Sequence, residues 1–144
     1  MEMPSDLMEK ADLRGDEYAW PLPAFPAALA AAQTAGLACL GGQFQFRLPE
    51  ATCEMYWLSV DPAGQLPDEP WPAFVTRSCA ETAVAFQALA SSTDFRAEAM
   101  RWQSVPELSA AGAEPERHLY FVAYFVAEPA PNNSSKPTPL RGAA

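Results

Sequence analysis

Three patterns of residues follow one another in the stretch Gly36-Leu37-Ala38-Cys39-Leu40-Gly41-Gly42-Gln43-Phe44-Gln45-Phe46-Arg47. Gly36 stands where a left-handed residue commonly ends a helix. An apolar run follows, and after two glycines apolar and polar residues alternate strictly, which is typical of a strand with one buried face. The stretch therefore predicts a helix leading into an antiparallel sheet, with a bulge or a close backbone approach at Gly41 and Gly42.

The residues before this stretch favour the helix. Ala27 to Ala35 is nearly all alanine and leucine, which have strong helix propensity, and Pro26 suits the first helical turn. Phe25 and Leu29 are expected to face the core.

The residues after it predict a β-hairpin. A strand over Leu37–Leu48 is followed by a turn at Pro49-Glu50-Ala51 and a second strand over Thr52–Val60. The second strand carries large side chains on both of its faces, including Tyr56 and Trp57.

Two further elements complete the predicted fold. A helix over Pro72–Ala90 carries an apolar stripe at intervals of three and four residues, so we expect it to lie across the sheet. The stripe consists of Val75, Cys79, Thr82, Phe86 and Leu89. The last strand, His118–Ala127, is apolar on both faces, which is typical of a central strand.

The pattern predicts an α+β fold, an antiparallel β-sheet of three or more strands with helices packed on one face. Residues 1–17 are polar and predict a flexible N-terminal arm. Residues 18–127 form a single predicted domain, and the Pro-, Asn- and Ser-rich segment 128–144 predicts a disordered tail.

The composition restricts the partners. The chain has 144 residues and a net charge of −9, and a surface this acidic repels phosphate groups. We therefore expect no nucleic-acid partner and no membrane partner, while a basic protein would be attracted; alternatively, the charge serves only solubility. No signal-peptide pattern is present at the N-terminus, and the three cysteines are an odd number, so we expect free thiols and a cytoplasmic location.

No pattern of catalytic residues is found. His118 is the only histidine, the cysteines lack metal-ligand spacing, and the paired carboxylates lie in predicted loops. No nucleophile, phosphate-binding or dinucleotide motif occurs. We therefore expect a protein that is not an enzyme and needs no cofactor and no metal.

Three segments share a further pattern: LACLGGQF at Leu37–Phe44, MYW at Met55–Trp57 and EPWPAFVTRS at Glu69–Ser78. Together they resemble a family of small immunity proteins from bacterial polymorphic-toxin systems, across residues 20–90. Gln43 departs from the family pattern, which has an acidic residue after the glycines. The resemblance implies a non-enzymatic protein that binds and neutralises a cognate toxin.

The candidate binding surface is a loop with its neighbouring strand, where acids and aromatic residues gather. The candidate partner-binding residues are Glu54, Tyr56, Asp61, Asp68, Glu69 and Trp71. A competing interpretation is that the acids only favour the start of the following helix.

Two other functions stay open from the sequence. The chain could be an enzyme or small-molecule-binding domain with a pocket between helix and sheet, lined by Tyr56, Trp57, Tyr120 and Tyr124. It could also be a homo-oligomeric accessory protein, and the sequence leaves the oligomeric state open.

Overall fold

The computed structural model describes residues 4–130. The helices are α1 (Ser5–Met8), α2 (Phe25–Thr34), α3 (Trp71–Ser92), α4 (Phe95–Ala99) and α5 (Pro106–Ser109). The strands are β1 (Asp12–Arg14), β2 (Glu17–Pro21), β3 (Ala38–Leu48), β4 (Ala51–Val60) and β5 (Leu119–Val126). Short 3₁₀ turns occupy Leu22–Ala24 and Pro115–His118. From residue 131 onward, the predicted tail lies outside the described residues.

The predicted α+β class is confirmed. The five strands form one antiparallel sheet in the order β1-β2-β5-β3-β4. β5 lies in the middle of the sheet, which explains why both of its faces are apolar. β3 and β4 form the predicted hairpin, in which Leu48 pairs with Ala51 across a two-residue turn.

Helices α2 and α3 cover one face of the sheet through a cluster of phenylalanine rings. Phe86 of α3 stacks on Phe44 of β3 with ring centroids 5.4 Å apart, and meets Phe121 of β5 edge-on at 5.1 Å. Phe25 of α2 completes the group, 4.6 Å from Phe121. Such offset and edge-to-face pairs add to the free energy of burial. This cluster fills the space between helices and sheet.

The three predicted glycine positions have the expected roles. Gly36 is left-handed with φ of 78°, and the amides of Gly36 and Leu37 close the end of α2 on the carbonyls of Gln33 and Ala32. At Gly41 and Gly42 a Cβ atom would collide with the backbone carbonyls of the neighbouring strands. The pairing of β3 with β5 shifts register between Cys39 and Gly42, which is the predicted irregularity.

The expectation of a flexible arm over residues 1–17 does not hold for residues 5–17. Leu7 is only 1% exposed, and its carbonyl accepts a hydrogen bond of 2.9 Å from Trp20 Nε1. Arg14 of β1 donates to the carbonyls of Leu48 and Ala51 in the β3–β4 turn. Because β1 and β3 are not neighbours in the sheet, the β1–β2 hairpin must fold back over the face opposite the helices.

Candidate functional site

A three-residue bulge in the edge strand β4 is the most exposed aromatic feature of the described residues. Phe44 pairs with Met55 but the adjacent Gln43 pairs with Ser59, so the intervening residues of β4 have no partner in β3. These residues are Tyr56, Trp57 and Leu58. Tyr56 is 72% exposed and Trp57 is 41% exposed. Bulges at sheet edges commonly redirect side chains in this way.

Trp57 is held in a fixed orientation. Its Nε1 donates a hydrogen bond of 2.9 Å to Glu98, and the Arg101 guanidinium lies 5.1 Å from the ring centroid. Arg101 also pairs with Glu98 at 2.9 Å. The Tyr56 ring meets Trp57 edge-on at 5.2 Å. An aromatic side chain immobilised before binding loses less entropy when a partner docks on it.

Acidic groups lie on the face of the sheet opposite the helices, next to this bulge. Glu54 accepts a hydrogen bond of 2.7 Å from Gln43, and Tyr124 donates one of 2.8 Å to Glu17. Burial, together with the Glu17 hydrogen bond and the charges of Glu17, Glu54 and Asp16, raises the pKa of Tyr124 to about 12. Tyr124 therefore stays protonated at neutral pH and adds a neutral aromatic to an acidic surface.

The predicted loop residues have a different environment from Glu54 and Tyr56. The carboxylate of Glu69 is bound by both Arg77 nitrogens Nε and Nη2, at 2.7 and 2.8 Å. Arg77 also donates to Glu81 and to the carbonyls of Ala63 and Gly64. Hydrogen bonding to Arg77 lowers the pKa of Glu69 to about 2. This geometry closes the loop onto α3, so Glu69 has a structural partner.

Trp71 also has a structural contact. Its Nε1 donates a hydrogen bond of 2.9 Å to the carbonyl of Gly36, and its ring packs edge-on against Phe74 at 5.5 Å. It therefore joins the start of α3 to the end of α2. Asp61 and Asp68 are exposed in the loop.

The structure thus brings Glu54 and Tyr56 together on β4, and places Asp61, Asp68, Glu69 and Trp71 on the loop that follows it. Sequence reasoning did not include Glu17 and Gln43 in the site and assigned Tyr124 to a pocket, because only strand pairing brings these residues together: Gln43 bonds Glu54, and Tyr124 bonds Glu17. The available signal was the pair Tyr56 and Trp57, since neighbouring side chains of a strand point to opposite faces and the two aromatics cannot both face the core.

The three thiols are buried, and the single histidine lies beside the start of β5. Cys39, Cys53 and Cys79 are buried and unpaired. Burial raises the pKa of all three thiols, that of Cys79 to about 11, so the reactive thiolate is disfavoured. His118 ends a 3₁₀ turn before β5. Within residues 4–130 no group of three or more His, Cys, Asp or Glu side chains could hold a metal ion.

An apolar groove near the core lies between two helices. It has a volume of about 280 Å³ between α2 and α3, and its apolar walls include Leu29, Cys79 and Phe86. The aromatic residues proposed to line a pocket between helix and sheet are not among its lining residues. Tyr120 and Tyr124 instead alternate with Phe121, which faces α3, and so lie on the opposite face of β5.

Comparison of the chain with protein-family models, curated proteins and solved structures finds no match. No helix among the described residues 4–130 has the length and apolar character needed to cross a membrane.

Proposed function

We propose that this protein is a non-enzymatic, cytoplasmic immunity-type protein that binds and neutralises a basic bacterial toxin domain. The observation that carries the proposal is the bulge of β4, where exposed Tyr56 and pre-oriented Trp57 lie beside Glu54 in a chain of net charge −9. Tyrosine and tryptophan supply a large share of binding energy at protein interfaces. The sequence resemblance to immunity proteins adds the toxin as the partner.

The charge distribution supports a basic partner. Glu54, Glu17 and Asp16 act together on Tyr124, so their negative potentials overlap on one face of the sheet. Complementary potentials speed the diffusional encounter of two proteins, and added salt weakens that effect. Fast capture suits a protein that has to neutralise a toxin before it acts.

The test uses the protein encoded by the gene next to this one. Its expression in bacteria is expected to arrest growth, and co-expression of this protein to restore it. Trp57→Ala and Tyr56→Ala are each expected to weaken binding by about tenfold or more, as expected for interface aromatics. Val84→Ala is the matched control, because Val84 is 73% exposed on α3. A neighbouring product that is harmless or that does not bind would overturn the proposal.

Salt dependence tests the electrostatic part separately. Glu54→Lys is expected to slow association and to flatten its dependence on ionic strength. Asp68→Lys changes an exposed acid on the loop that follows β4 and is expected to have a smaller effect on the association rate. Glu69 is unsuitable for this purpose, because its replacement breaks the Arg77 contacts.

The alternative, a small-molecule-binding domain or enzyme, has one supporting observation. The groove between α2 and α3 has apolar walls and a volume of about 280 Å³, near the lower limit for small-molecule sites, and a second groove of about 520 Å³ between the same helices, at Trp71 and Val75, is within that range. A stabilising thermal shift with apolar ligands, abolished by Ala83→Trp in the groove wall, would favour that alternative.

A further inference from the structure

The outer edge of β4 has backbone groups with no partner among residues 4–130. Among the strands that the structure describes, β4 pairs only with β3 and is the last of the sheet. Leu48 and Ala51 are opposite each other across the two-residue turn, a position that closes such a hairpin with a hydrogen-bonded pair, and hydrogen-bonded pairs alternate along the ladder. Cys53 therefore bonds to β3, whereas Thr52 and Glu54 direct their N–H and C=O groups outward.

This regular part of the edge is short and bounded. The bulge starts at Tyr56, directly after Met55, and interrupts the ladder. At the other end β4 begins at Ala51, directly after the turn, where Arg14 bonds the Ala51 carbonyl at 3.0 Å and Thr52 Oγ1 at 2.7 Å. Thr52 and Glu54 are exposed between these limits. The free edge therefore matches a short extended segment rather than a long strand.

The charge of Glu54 discriminates between the possible occupants. In a second copy paired antiparallel through the same edge around a two-fold axis, Glu54 would face the copy's Glu54 or Glu50, or would face its Thr52 with both of those acids diagonal to it. Like charges directly opposite each other destabilise a strand pair, whereas opposite charges stabilise it. A lysine or arginine on the incoming segment would pair with Glu54, and its neighbours would reach Tyr56.

We propose that Thr52–Met55 accepts an extended, basic segment of the partner protein as a sixth strand of the sheet. This inference rests on the proposed function and specifies its mode of binding. Main-chain hydrogen bonds at Thr52 and Glu54 supply affinity, while Glu54 and the aromatic residues of the bulge select basic and apolar side chains, as in other cases of strand addition.

The experiment uses the full chain and a blocked six-residue peptide of alternating lysine and valine. The control peptide has the same side chains but a fully N-methylated backbone, which keeps the charge and removes every N–H donor. In NMR titrations the first peptide is expected to shift the Thr52 and Glu54 amide resonances and to slow their hydrogen exchange. The N-methylated peptide is expected to bind about tenfold or more weakly, from the loss of several hydrogen bonds.

Two protein variants separate the contribution of backbone hydrogen bonds to peptide binding from the contribution of the Glu54 charge. Glu54→Pro removes an N–H group that points outward and does not bond to β3. Edge strands tolerate proline at such positions. We expect this variant to bind the peptide about tenfold more weakly. Glu54→Thr keeps the amide and removes the charge, so we expect a loss of about threefold, as for an exposed ion pair. Circular dichroism checks that each variant is folded, and the N-methylated peptide tests the edge on the parent chain if one is not.

Equal affinity for the two peptides, shifts away from Thr52 and Glu54, or no binding at millimolar peptide would each overturn the inference. A dimer that the peptide dissociates would also overturn it, in favour of a second copy as the occupant. If the toxin binds the parent and Glu54→Pro equally well, the inferred strand addition is wrong but the proposed function still stands. If the protein encoded by the neighbouring gene binds neither the parent nor Glu54→Pro, the proposed function itself is wrong.

Discussion

Arg47 of β3 donates a hydrogen bond of 3.0 Å to a carboxylate oxygen of Asp12 in β1, although the two strands are not adjacent in the sheet. The Arg47 side chain is 1% exposed and also donates to Gln45 and to the carbonyls of Asp12 and Glu17. This buried guanidinium ties the β1–β2 hairpin over the face of the sheet opposite the helices. It thereby positions Glu17 beside Tyr124 on the face of the sheet that carries Glu54.

The first prediction concerns this ion pair. Asp12→Ala leaves the buried charge of Arg47 without its carboxylate, so we expect a loss of about 1–3 kcal/mol in the free energy of unfolding. The value is below that of a fully buried pair because Asp12 is partly exposed. Chemical denaturation measures the loss, and Asp16→Ala is the control in the adjoining turn. Equal stability of both variants would show that the ion pair between Arg47 and Asp12 does not stabilise the hairpin.

The second prediction concerns the glycine pair of β3. Gly42→Ala places a Cβ against the Val122 carbonyl, and the rigid neighbouring strand cannot move aside. We expect a destabilisation of about 3 kcal/mol or more. Gly64→Ala is the matched control, since beyond its chain neighbours no atom in the described part of the chain lies within 4 Å of its added Cβ, and it should change stability by about 1 kcal/mol or less. Thermal melts of both variants are sufficient, and a Gly42→Ala protein as stable as the parent would contradict the close approach.

The third prediction concerns acid stability. The pKa of Glu69 falls from an ordinary value of 4.5 to about 2, chiefly through hydrogen bonds from Arg77. A lowered carboxyl pKa contributes stability that is complete above pH 4.5 and is lost as the pH falls through 2. Glu69→Gln should therefore lower Tm at neutral pH, and its difference from the parent should shrink between pH 4.5 and 2.

Asp68→Asn is the control for that series, because it removes an exposed carboxylate from the same loop. Its effect on Tm should be small at every pH. A difference between Glu69→Gln and the parent that persists unchanged at pH 2 would contradict the assigned pKa.

The fourth prediction concerns the thiols. Burial raises the pKa of Cys39, Cys53 and Cys79, so native protein should react slowly with a thiol reagent at pH 8. Denatured protein purified without reductant should show three rapidly reacting groups. Recovery of an intramolecular disulfide would contradict the proposed cytoplasmic location.

Patterns among residues that are close together in the sequence were sufficient to predict much of this fold. The alternation from Gln43 to Leu48, the turn at Pro49 and Glu50, and the apolar stripe of α3 each depend on residues close together in the chain. Local backbone preferences and the two periodicities of strand and helix determine such elements. The glycines at positions 36, 41 and 42 were assigned correctly for the same reason, since a left-handed residue or a close approach has a local signature.

The candidate site depended on contacts between distant segments. Nothing near Asp12 in the sequence indicates that it pairs with Arg47, and nothing near Glu69 distinguishes its contact with Arg77 from an exposed loop acid. The bulge at Tyr56 arises where the register of β4 against β3 changes, and register is a property of two strands together. The sequence alone determined the elements and the acidic charge, whereas the tertiary structure decided which acids are engaged and which aromatic residues are presented, because pairing and burial bring together residues far apart in the chain.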